Sequence, residues 1–409
     1  MTEPAPNHFF SRRNLLRQAV TLGALAAAAS LLEACGRPGV QTPSRLSDAG
    51  MPPTPTSSYT PTRKPSATPV PSSTPTHTLE PSPTSLPSAT PTARSSPTPA
   101  PTSTPTPQAD VAQVAFVKTR QRAEGVRRAL DLLGSNPVQG KAVLLKPNFN
   151  SADPAPGSTH EDVLRALVEE LWGMGARGIT LADRSGMDNT RRAMQQKGIF
   201  SLAEEMGFDT LVLDELEDQA WVLVQPPDSH WQGGFPFARS CLEAEALVQT
   251  CCLKTHRFGG HFTLSLKNSV GMVGKYGPDG YNYMQELHAS AYQRLMIAEI
   301  NTAYTPALVV VDGVEAFVSG GPDTGKRVEA EVMLAGRDRV ALDAVGVALL
   351  RYWGTTPEVR RGLIFEQEQI ARAAELGLGV DGPDQIQIVT DDADSEAYAA
   401  QIREILAGG

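Results

Sequence analysis

The sequence predicts an α/β fold with a mostly parallel sheet flanked by helices. Short apolar runs alternate with segments whose apolar residues recur at helical spacing, and the connections between them are short. A strand, a loop, a helix and a second strand in succession make a βαβ unit, and such units build parallel sheets. A disordered linker rich in Pro, Thr and Ser precedes this domain.

The first βαβ pattern lies in residues 111–183. An apolar run ends at Lys146, and Pro147 stops that strand because its ring lacks an amide donor. The elements predicted in order are strand 111–117, helix 121–133, strand 141–145, helix 160–173 and strand 178–183. The alternation then continues with helix 201–206, strand 210–213, a helical turn and strand within 242–252, helix 285–303, strand 307–311, strand 331–334, helix 339–352, helix 365–376 and strand 385–389.

The N-terminal region is predicted to be an export signal and a tether. Arg12 and Arg13 lie in a segment that resembles a twin-arginine signal, and the apolar run that follows is too short to span a bilayer. Residues 32–36 resemble a lipobox with Cys35 as the lipidated residue, although Glu33 is atypical there. We expect a signal over 1–34, a linker over 35–109 that cannot bury a core, and an α/β domain over 110–409. The alternative is an uncleaved amphipathic anchor.

These features predict a protein exported and lipid-anchored at the outer face of the cytoplasmic membrane, with the membrane as one partner. The formal net charge of -9 argues against a nucleic-acid partner. After Cys35, the cysteines Cys241, Cys251 and Cys252 form no ferredoxin-type array, so we expect no iron–sulfur cluster held by this chain alone. The chain also contains no Walker A, dinucleotide-binding or serine-hydrolase motif.

Polar side chains follow several of the predicted strands. In open parallel sheets ligands bind beyond the carboxyl ends of the strands, so these side chains are expected to converge on one crevice. The predicted ligand-binding residues are Lys146, Asn148, Asp183, Lys254 and Asn268. The predicted catalytic residues are Lys267, His256 and Asp312, and the predicted metal ligands are His256, His261 and His288.

Each residue type has a specific chemistry. Lysines neutralise an anionic ligand, and a buried Lys267 can also act as a base or as a Schiff-base amine. The alternative for Lys267 is a structural lysine bonded to carbonyl groups. For His256 and His261 it is a solvated loop position, and for His288 a position on a helix surface. Asp183 and Asp312 offer hard oxygen ligands or a general base.

The combined motifs resemble the family called domain of unknown function 362. They are Lys146-Pro147-Asn148, Lys254-Thr255-His256, residues 266–271, Asp312-Gly313 with Gly320-Gly321-Pro322, and residues 338–344. The resemblance covers most of residues 111–389 and implies no established activity. Some members carry appended ferredoxin-type clusters, which this chain lacks. Residues 254–271 also resemble the His-Gly-Lys segment of nickel-pincer lactate racemases.

Two classes of function follow from the sequence. The first is an extracytoplasmic enzyme that uses a metal ion or a preloaded organic cofactor for redox or group-transfer chemistry on an anionic small molecule. The second is a lipid-anchored binding protein that passes an anionic small molecule or a metal to a redox or transport partner. The mixture of cationic and acid–base groups favours the enzyme. Substitution of Lys267 distinguishes them, because an enzyme loses turnover and a binding protein loses affinity.

Overall fold

The structure is a computed structural model that describes residues 111–408. The predicted signal, the lipidation site Cys35 and the predicted linker lie outside the described residues. Among residues 111–408, no helix has both the length and the apolar character needed to cross a bilayer.

The described residues begin with two strand–helix pairs and a third strand. The glycine after the first helix, Gly134, adopts a left-handed conformation with φ of 57°, and its amide donates to the carbonyl of Asp131. The second helix starts where the His160 side chain accepts a hydrogen bond from the Asp162 amide. These elements are β1 (Ala112–Lys118), α1 (Arg122–Leu133), β2 (Ala142–Lys146), α2 (Glu161–Gly173) and β3 (Gly178–Asp183).

The middle of the chain adds two long strands and a small separate hairpin. The elements are α3 (Thr190–Gln196), α4 (Ile199–Met206), β4 (Asp209–Val212), β5 (Trp221–Val224), β6 (Phe235–Ala238), α5 (Arg239–Leu242), β7 (Ala246–His256), β8 (His261–Thr263), α6 (Ser265–Asn268), α7 (Tyr283–Ala289), α8 (Gln293–Ile300) and β9 (Leu308–Gly320). Strands β5 and β6 pair with each other as a separate two-stranded sheet.

The C-terminal part is mostly helical. Its elements are β10 (Gly325–Val328), β11 (Val332–Gly336), α9 (Arg339–Tyr352), α10 (Pro357–Arg360), α11 (Glu368–Glu375), β12 (Ile386–Val389) and α12 (Ala393–Gly408). Helix α9 begins at Asp338, whose side chain accepts hydrogen bonds from the amides of Val340 and Ala341.

The main sheet confirms the predicted fold class. Within the described residues it contains ten strands, eight of them in the order β12-β1-β11-β9-β7-β2-β3-β4, with β10 paired to β9 and β8 to β7. Along this path every neighbouring pair is parallel except the two made by β11, which runs antiparallel between β1 and β9. The sheet is therefore mostly parallel.

Both faces of the sheet are covered by helices. Successive residues of a strand point to opposite faces, and on β9 Val309 and Val311 enter one apolar cluster while Val310 enters another. Helices α9 and α12 pack on the first face, and α1 and α2 pack on the second. This three-layer arrangement leaves the carboxyl edge of the parallel strands free to form a site.

The predicted helix over 285–303 is interrupted. It forms α7 and α8, separated by Ser290, whose backbone is extended with ψ of 137°. The Ser290 hydroxyl accepts a hydrogen bond from the Tyr292 amide, at 3.0 Å, and such local bonds compete with the helical pattern. The hairpin β5–β6 and helix α12 are also present in the structure without having been predicted.

Candidate functional site

A cavity of about 110 Å³ lies at the carboxyl ends of β2, β3 and β7, which are neighbours in the sheet. This volume holds several water molecules or one small ligand. Most of the predicted site residues line it, together with others that were not predicted. The predicted residues among the lining are Lys146, Asn148, Asp183, Lys254, His256, Lys267, Asn268 and His288.

An ion pair between Lys146 and Asp183 forms one wall of the cavity. The Lys146 Nζ lies 2.6 Å from the Asp183 Oδ1, and both side chains are almost completely buried. The same Nζ donates to the carbonyl of Pro147 at 2.6 Å, and Asp183 Oδ2 accepts from the Phe149 amide at 2.7 Å. Both charges are therefore fully hydrogen-bonded, as buried ions need to be.

Two asparagines connect this ion pair to a second lysine. The Asn268 Oδ1 accepts from Lys146 Nζ at 3.3 Å and from Asn148 Nδ2 at 3.2 Å. The Asn148 Oδ1 in turn accepts from Lys254 Nζ at 2.8 Å, and that amine also donates to the Gly157 carbonyl. Burial lowers the pKa of Lys254. We call Lys146, Asp183, Asn148, Asn268 and Lys254 the paired side of the cavity.

Lys267 differs from these lysines because its amine has no partner. Among residues 111–408, its Nζ makes no hydrogen bond and no carboxylate lies within 4.0 Å of it, although the side chain is only 9 % exposed. Burial, and then the charges of Lys254 and Arg184, lower the pKa of Lys267 to about 7. Near neutral pH about half of these amines are therefore uncharged.

The backbone that carries Lys267 is fixed by a carboxylate from a distant helix. Asp343 of α9 accepts hydrogen bonds from the amides of Ser265 and Leu266, at 2.8 and 3.1 Å, at the start of the short helix α6. It also contacts the Ser265 hydroxyl at 2.5 Å. Burial raises the pKa of Asp343 to about 7. Asp343 thus satisfies two of the free amides at the start of α6 and helps to hold Lys267 and Asn268 in place.

His256 lies beside Lys267. A Cβ placed on Gly260 would lie 2.7 Å from the Lys267 Cε and 3.0 Å from the His256 Nδ1, so both side chains pack against this glycine. Burial lowers the pKa of His256 well below its usual range, with Lys267 contributing, and the ring is neutral at pH 7. Its Nδ1 is buried and has no partner among the described residues.

His288 completes what we call the open side of the cavity, formed by Lys267, His256 and His288. The His288 Nδ1 lies 2.7 Å from the Met284 carbonyl, and since a carbonyl oxygen only accepts, this nitrogen is the donor. Desolvation and the charge of Lys267 lower the pKa of His288, so its Nε2 carries a free lone pair. The open side therefore holds three nitrogen groups that are not saturated by the protein.

Arg184 is a cation that sequence reasoning missed. It directly follows the predicted strand end at Asp183, which is the signal that could have indicated it. Its guanidinium is buried and donates to the carbonyls of Val273, at 2.9 Å, Val270 and Ser185. The positive charge of Arg184 thus faces the cavity without a carboxylate in direct contact.

Two further polar groups of the cavity wall are unsatisfied. The Asn150 Nδ2 and the Thr263 Oγ1 are buried and have no hydrogen-bond partner within residues 111–408. A buried donor without a partner costs about 1–3 kcal/mol, so such groups are rare unless a ligand or water completes them. Both residues lie within the predicted site segments, but their residue types gave no signal of their own.

Asp312 and His261, two predicted site residues, do not line the cavity. Asp312 lies inside β9, where its Oδ2 accepts from Arg122 Nε at 2.9 Å and its Oδ1 from the Val314 amide at 3.0 Å. His261 has a positive φ of 63° and lines a surface depression with Arg294 and Glu358. The structure therefore gives Asp312 an ion-pairing environment and His261 a surface environment.

The three predicted metal ligands do not form one group, although His256 lies opposite His261 on β7 and β8 and lines the cavity with His288. Among residues 111–408, no group of three or more His, Cys, Asp or Glu side chains is arranged to hold a metal ion. His256 and His288 alone would supply two ligands, and protein zinc sites use three or four.

The cavity has an excess of positive charge. The lining contains four cationic residues, Lys146, Arg184, Lys254 and Lys267, against one carboxylate, Asp183. Four positive charges and one negative charge give a formal charge of +3 with Lys267 protonated. Since the whole chain carries a net charge of -9, this local excess is specific to the site. Such an arrangement attracts a small anion.

Comparison with known proteins places the sequence in a family. A family model described as "Domain of unknown function (DUF362)" matches residues 143–348, which is 206 of the 409 residues. The chain belongs to this DUF362 family. The matched DUF362 region contains every cavity residue described above and ends inside α9, five residues after Asp343.

Other comparisons are sparse. No curated protein matches the chain. Among solved structures, the lactate racemase apoprotein from Thermoanaerobacterium thermosaccharolyticum is similar, with a TM-score of 0.33 and 14% sequence identity. The similarity covers 52% of this DUF362 chain and 52% of the racemase chain, so it spans about half the length of each.

Proposed function

We propose that this protein is an enzyme that binds a small anionic molecule in the cavity and uses Lys267 as its base or nucleophile. The observation that carries the proposal is the set of four cationic residues around one carboxylate in a cavity for one small ligand. The lysines on the paired side and Arg184 are held by carbonyl and amide oxygens, so their charges are fixed before a ligand arrives. Preorganised charge of this kind binds an anion without reorganisation cost.

The state of Lys267 favours an enzyme over a binding protein. A site that only captures an anion is best served by permanently charged lysines, yet the pKa of Lys267 is lowered to about 7 by burial and by two neighbouring cations. A lysine poised near neutral pH can accept a proton or attack an electrophilic carbon. The neutral His256 next to it has a buried Nδ1 without a partner among the described residues, so a bound ligand can hydrogen-bond to it.

We also propose that the protein works outside the cytoplasm, attached by a lipid on Cys35. The motif around Arg12 and Arg13, the short apolar run after them and the lipobox-like segment at Cys35 support this location. The stretch rich in Pro, Thr and Ser that follows would act as a tether. Labelling of the intact chain with a radioactive fatty acid, compared with a Cys35→Ser variant, tests the anchor.

Loss of ligand-dependent stabilisation in a lysine variant tests the proposed site. The full-length chain is heated with increasing inorganic phosphate, sulfate or glycolate, and its melting temperature is measured beside those of Lys267→Met and of Lys326→Met, an exposed lysine on β10. We expect at least one anion to raise the melting temperature of the native chain and of Lys326→Met by mass action, and to act at least tenfold more weakly on Lys267→Met. Equal stabilisation of all three proteins would contradict the site.

A second measurement separates the enzyme from the alternative binding protein. The native chain and Lys267→Met are incubated with a small-molecule extract, and anionic compounds are quantified before and after by mass spectrometry. An anion consumed only by the native chain supports the enzyme. An anion that is retained by the native chain but never consumed supports the binding protein and overturns the catalytic part of the proposal.

A further inference from the structure

The three lysines of the cavity differ in the number of hydrogen-bond acceptors that contact their amines. The amine of Lys146 has an ion-pair partner and two further acceptors, and the amine of Lys254 has two oxygen acceptors. The amine of Lys267 has none within residues 111–408. Its side chain is nevertheless buried, and buried ammonium groups are normally paired.

The position of Lys267 is well defined despite this missing partner. Its stem packs against Gly260 and beside His256, and its helix is held by Asp343. The amine therefore points into the cavity from a rigid support, which is how nucleophilic groups are positioned in enzymes. Lys254 and Arg184 lie near enough to influence its charge, so an anionic substituent of a ligand would be neutralised next to the amine.

We propose that Lys267 forms an imine with a small aldehyde or ketone that carries a carboxylate or phosphate group. This inference rests on the proposed anion-binding function and specifies its substrate class. The fixed cations would bind the anionic group, and the unpaired amine would lie next to the carbonyl carbon. The unsatisfied donors Asn150 Nδ2 and Thr263 Oγ1 would complete the binding of the polar atoms.

The reaction is balanced without any further reagent. The nitrogen lone pair attacks the carbonyl carbon and breaks its π bond, and the oxygen takes up a proton. The two hydrogen atoms of the neutral amine finally leave with this oxygen as one water molecule, while a carbon–nitrogen double bond forms. No oxidation or reduction occurs. The neutral His256 ring beside the amine is placed to carry protons between nitrogen and oxygen.

The ionisation of the amine supports this step. Burial, with Lys254 and Arg184, lowers the pKa of Lys267 to about 7. At pH 7 the neutral fraction is then roughly a thousandfold larger than for a lysine with a pKa of about 10.4. Only the neutral amine has the lone pair needed for attack.

Reductive trapping of the imine tests the proposal on the unmodified full-length chain. The protein is mixed with glyoxylate and sodium cyanoborohydride at pH 7, and the attached carboxymethyl group is located by peptide mass spectrometry. Acetaldehyde serves as the uncharged probe, and exposed Lys326 as the internal control. We expect glyoxylate to modify Lys267 at least tenfold faster than Lys326, and this preference to fall at least tenfold with acetaldehyde.

Two results would overturn the proposal. Labelling of Lys267 no faster than Lys326 would contradict the imine itself, and an equal preference for both probes would contradict recognition of the anionic group. Calorimetric binding of glycolate, which has the carboxylate but no aldehyde or ketone group, distinguishes failure of the imine from failure of the anion site. If glycolate binds and Lys267 is not trapped, the anion site stands and the imine is wrong. If glycolate does not bind and Lys267 is not trapped, both fail.

Discussion

The paired side and the open side of the cavity both contain buried lysines, but the protein pairs these lysines on one side only. On the paired side, Lys146 contacts Asp183 at 2.6 Å and every polar group is hydrogen-bonded. On the open side, Lys267 has no partner within residues 111–408 and the His256 Nδ1 is unsatisfied. A saturated network fixes structure, whereas unsaturated groups are available for a ligand. We therefore expect the paired side mainly to support the structure and the open side to contact a ligand.

The largest expected effect comes from breaking the paired side. Asp183→Asn leaves the Lys146 ammonium buried without its counter-charge, which costs about 3–5 kcal/mol of the free energy of unfolding. Chemical denaturation measures this loss. Glu205→Gln is the matched control, because Glu205 pairs with Arg165 on the surface and such pairs contribute about 0–1 kcal/mol. A loss for Asp183→Asn no larger than for Glu205→Gln would contradict the structural role of the pair.

On the open side, Lys267→Met should stabilise the protein. Because the pKa of Lys267 is lowered to about 7 from 10.5, the unfolded chain binds more protons than the folded chain between these pH values. The stability of the native chain then rises as pH increases through this window. Lys267→Met removes the titrating group, so it should be more stable than the native chain at pH 7, by an amount on the order of a few kcal/mol.

Denaturation of both proteins at pH 7 and at pH 10 measures this difference. The advantage of Lys267→Met should be complete at and below pH 7 and should shrink toward pH 10. Lys326→Met provides the control and should show no change of its difference with pH. A constant difference for Lys267→Met across the same range would mean that the amine carries its charge at little cost.

A smaller effect is expected from crowding the ion pair. A Cβ on Gly271 would lie 2.7 Å from Lys146 Nζ and 2.9 Å from Asp183 Oδ1, so Gly271→Ala must displace one of these atoms. Overpacking of this kind costs about 1–3 kcal/mol. The control is Gly173→Ala, where no atom lies within 4 Å of the added methyl group. We expect thermal unfolding to show destabilisation only for Gly271→Ala, and the reverse result would be inconsistent with the close contact.

The smallest effect concerns the histidines. His256→Ala should weaken the binding of the stabilising anion several-fold, because His256 lines the cavity with a free Nδ1. His261→Ala should change this binding by less than about twofold, since His261 lies in a surface depression with Arg294 and Glu358. Titration calorimetry of the two variants side by side measures the difference. An equal loss in both would place His261 in the site as well.

Much of the fold was predictable because apolar periodicity reports which faces of an element are buried. The runs at β2, β3 and β7 and the amphipathic pattern of α2 have this property. The pattern does not report local hydrogen bonds, so it missed the interruption at Ser290. The apolar pattern also missed the strand pair β5–β6, because strands of four residues are too short to show an apolar periodicity.

The site residues were predicted correctly where the ends of the strands were predicted correctly. Lys146 and Asp183 each end a strand, and Lys254 lies two residues before the end of β7, so the topology alone places them near one another. Asp312 fails this rule because β9 does not end at residue 311 as predicted, but continues to Gly320. Arg184 and Thr263 were missed because sequence does not reveal which side chains turn inward.

The contact between Asp343 and the start of α6 has a consequence for shortening the chain. Every side chain that lines the cavity lies between residues 146 and 322, so a fragment ending at residue 330 would contain the whole lining. That fragment would lack the carboxylate that holds the amides of Ser265 and Leu266. The turn that presents Lys267 would then lose this anchor, so we expect a fragment that keeps the site intact to extend through α9.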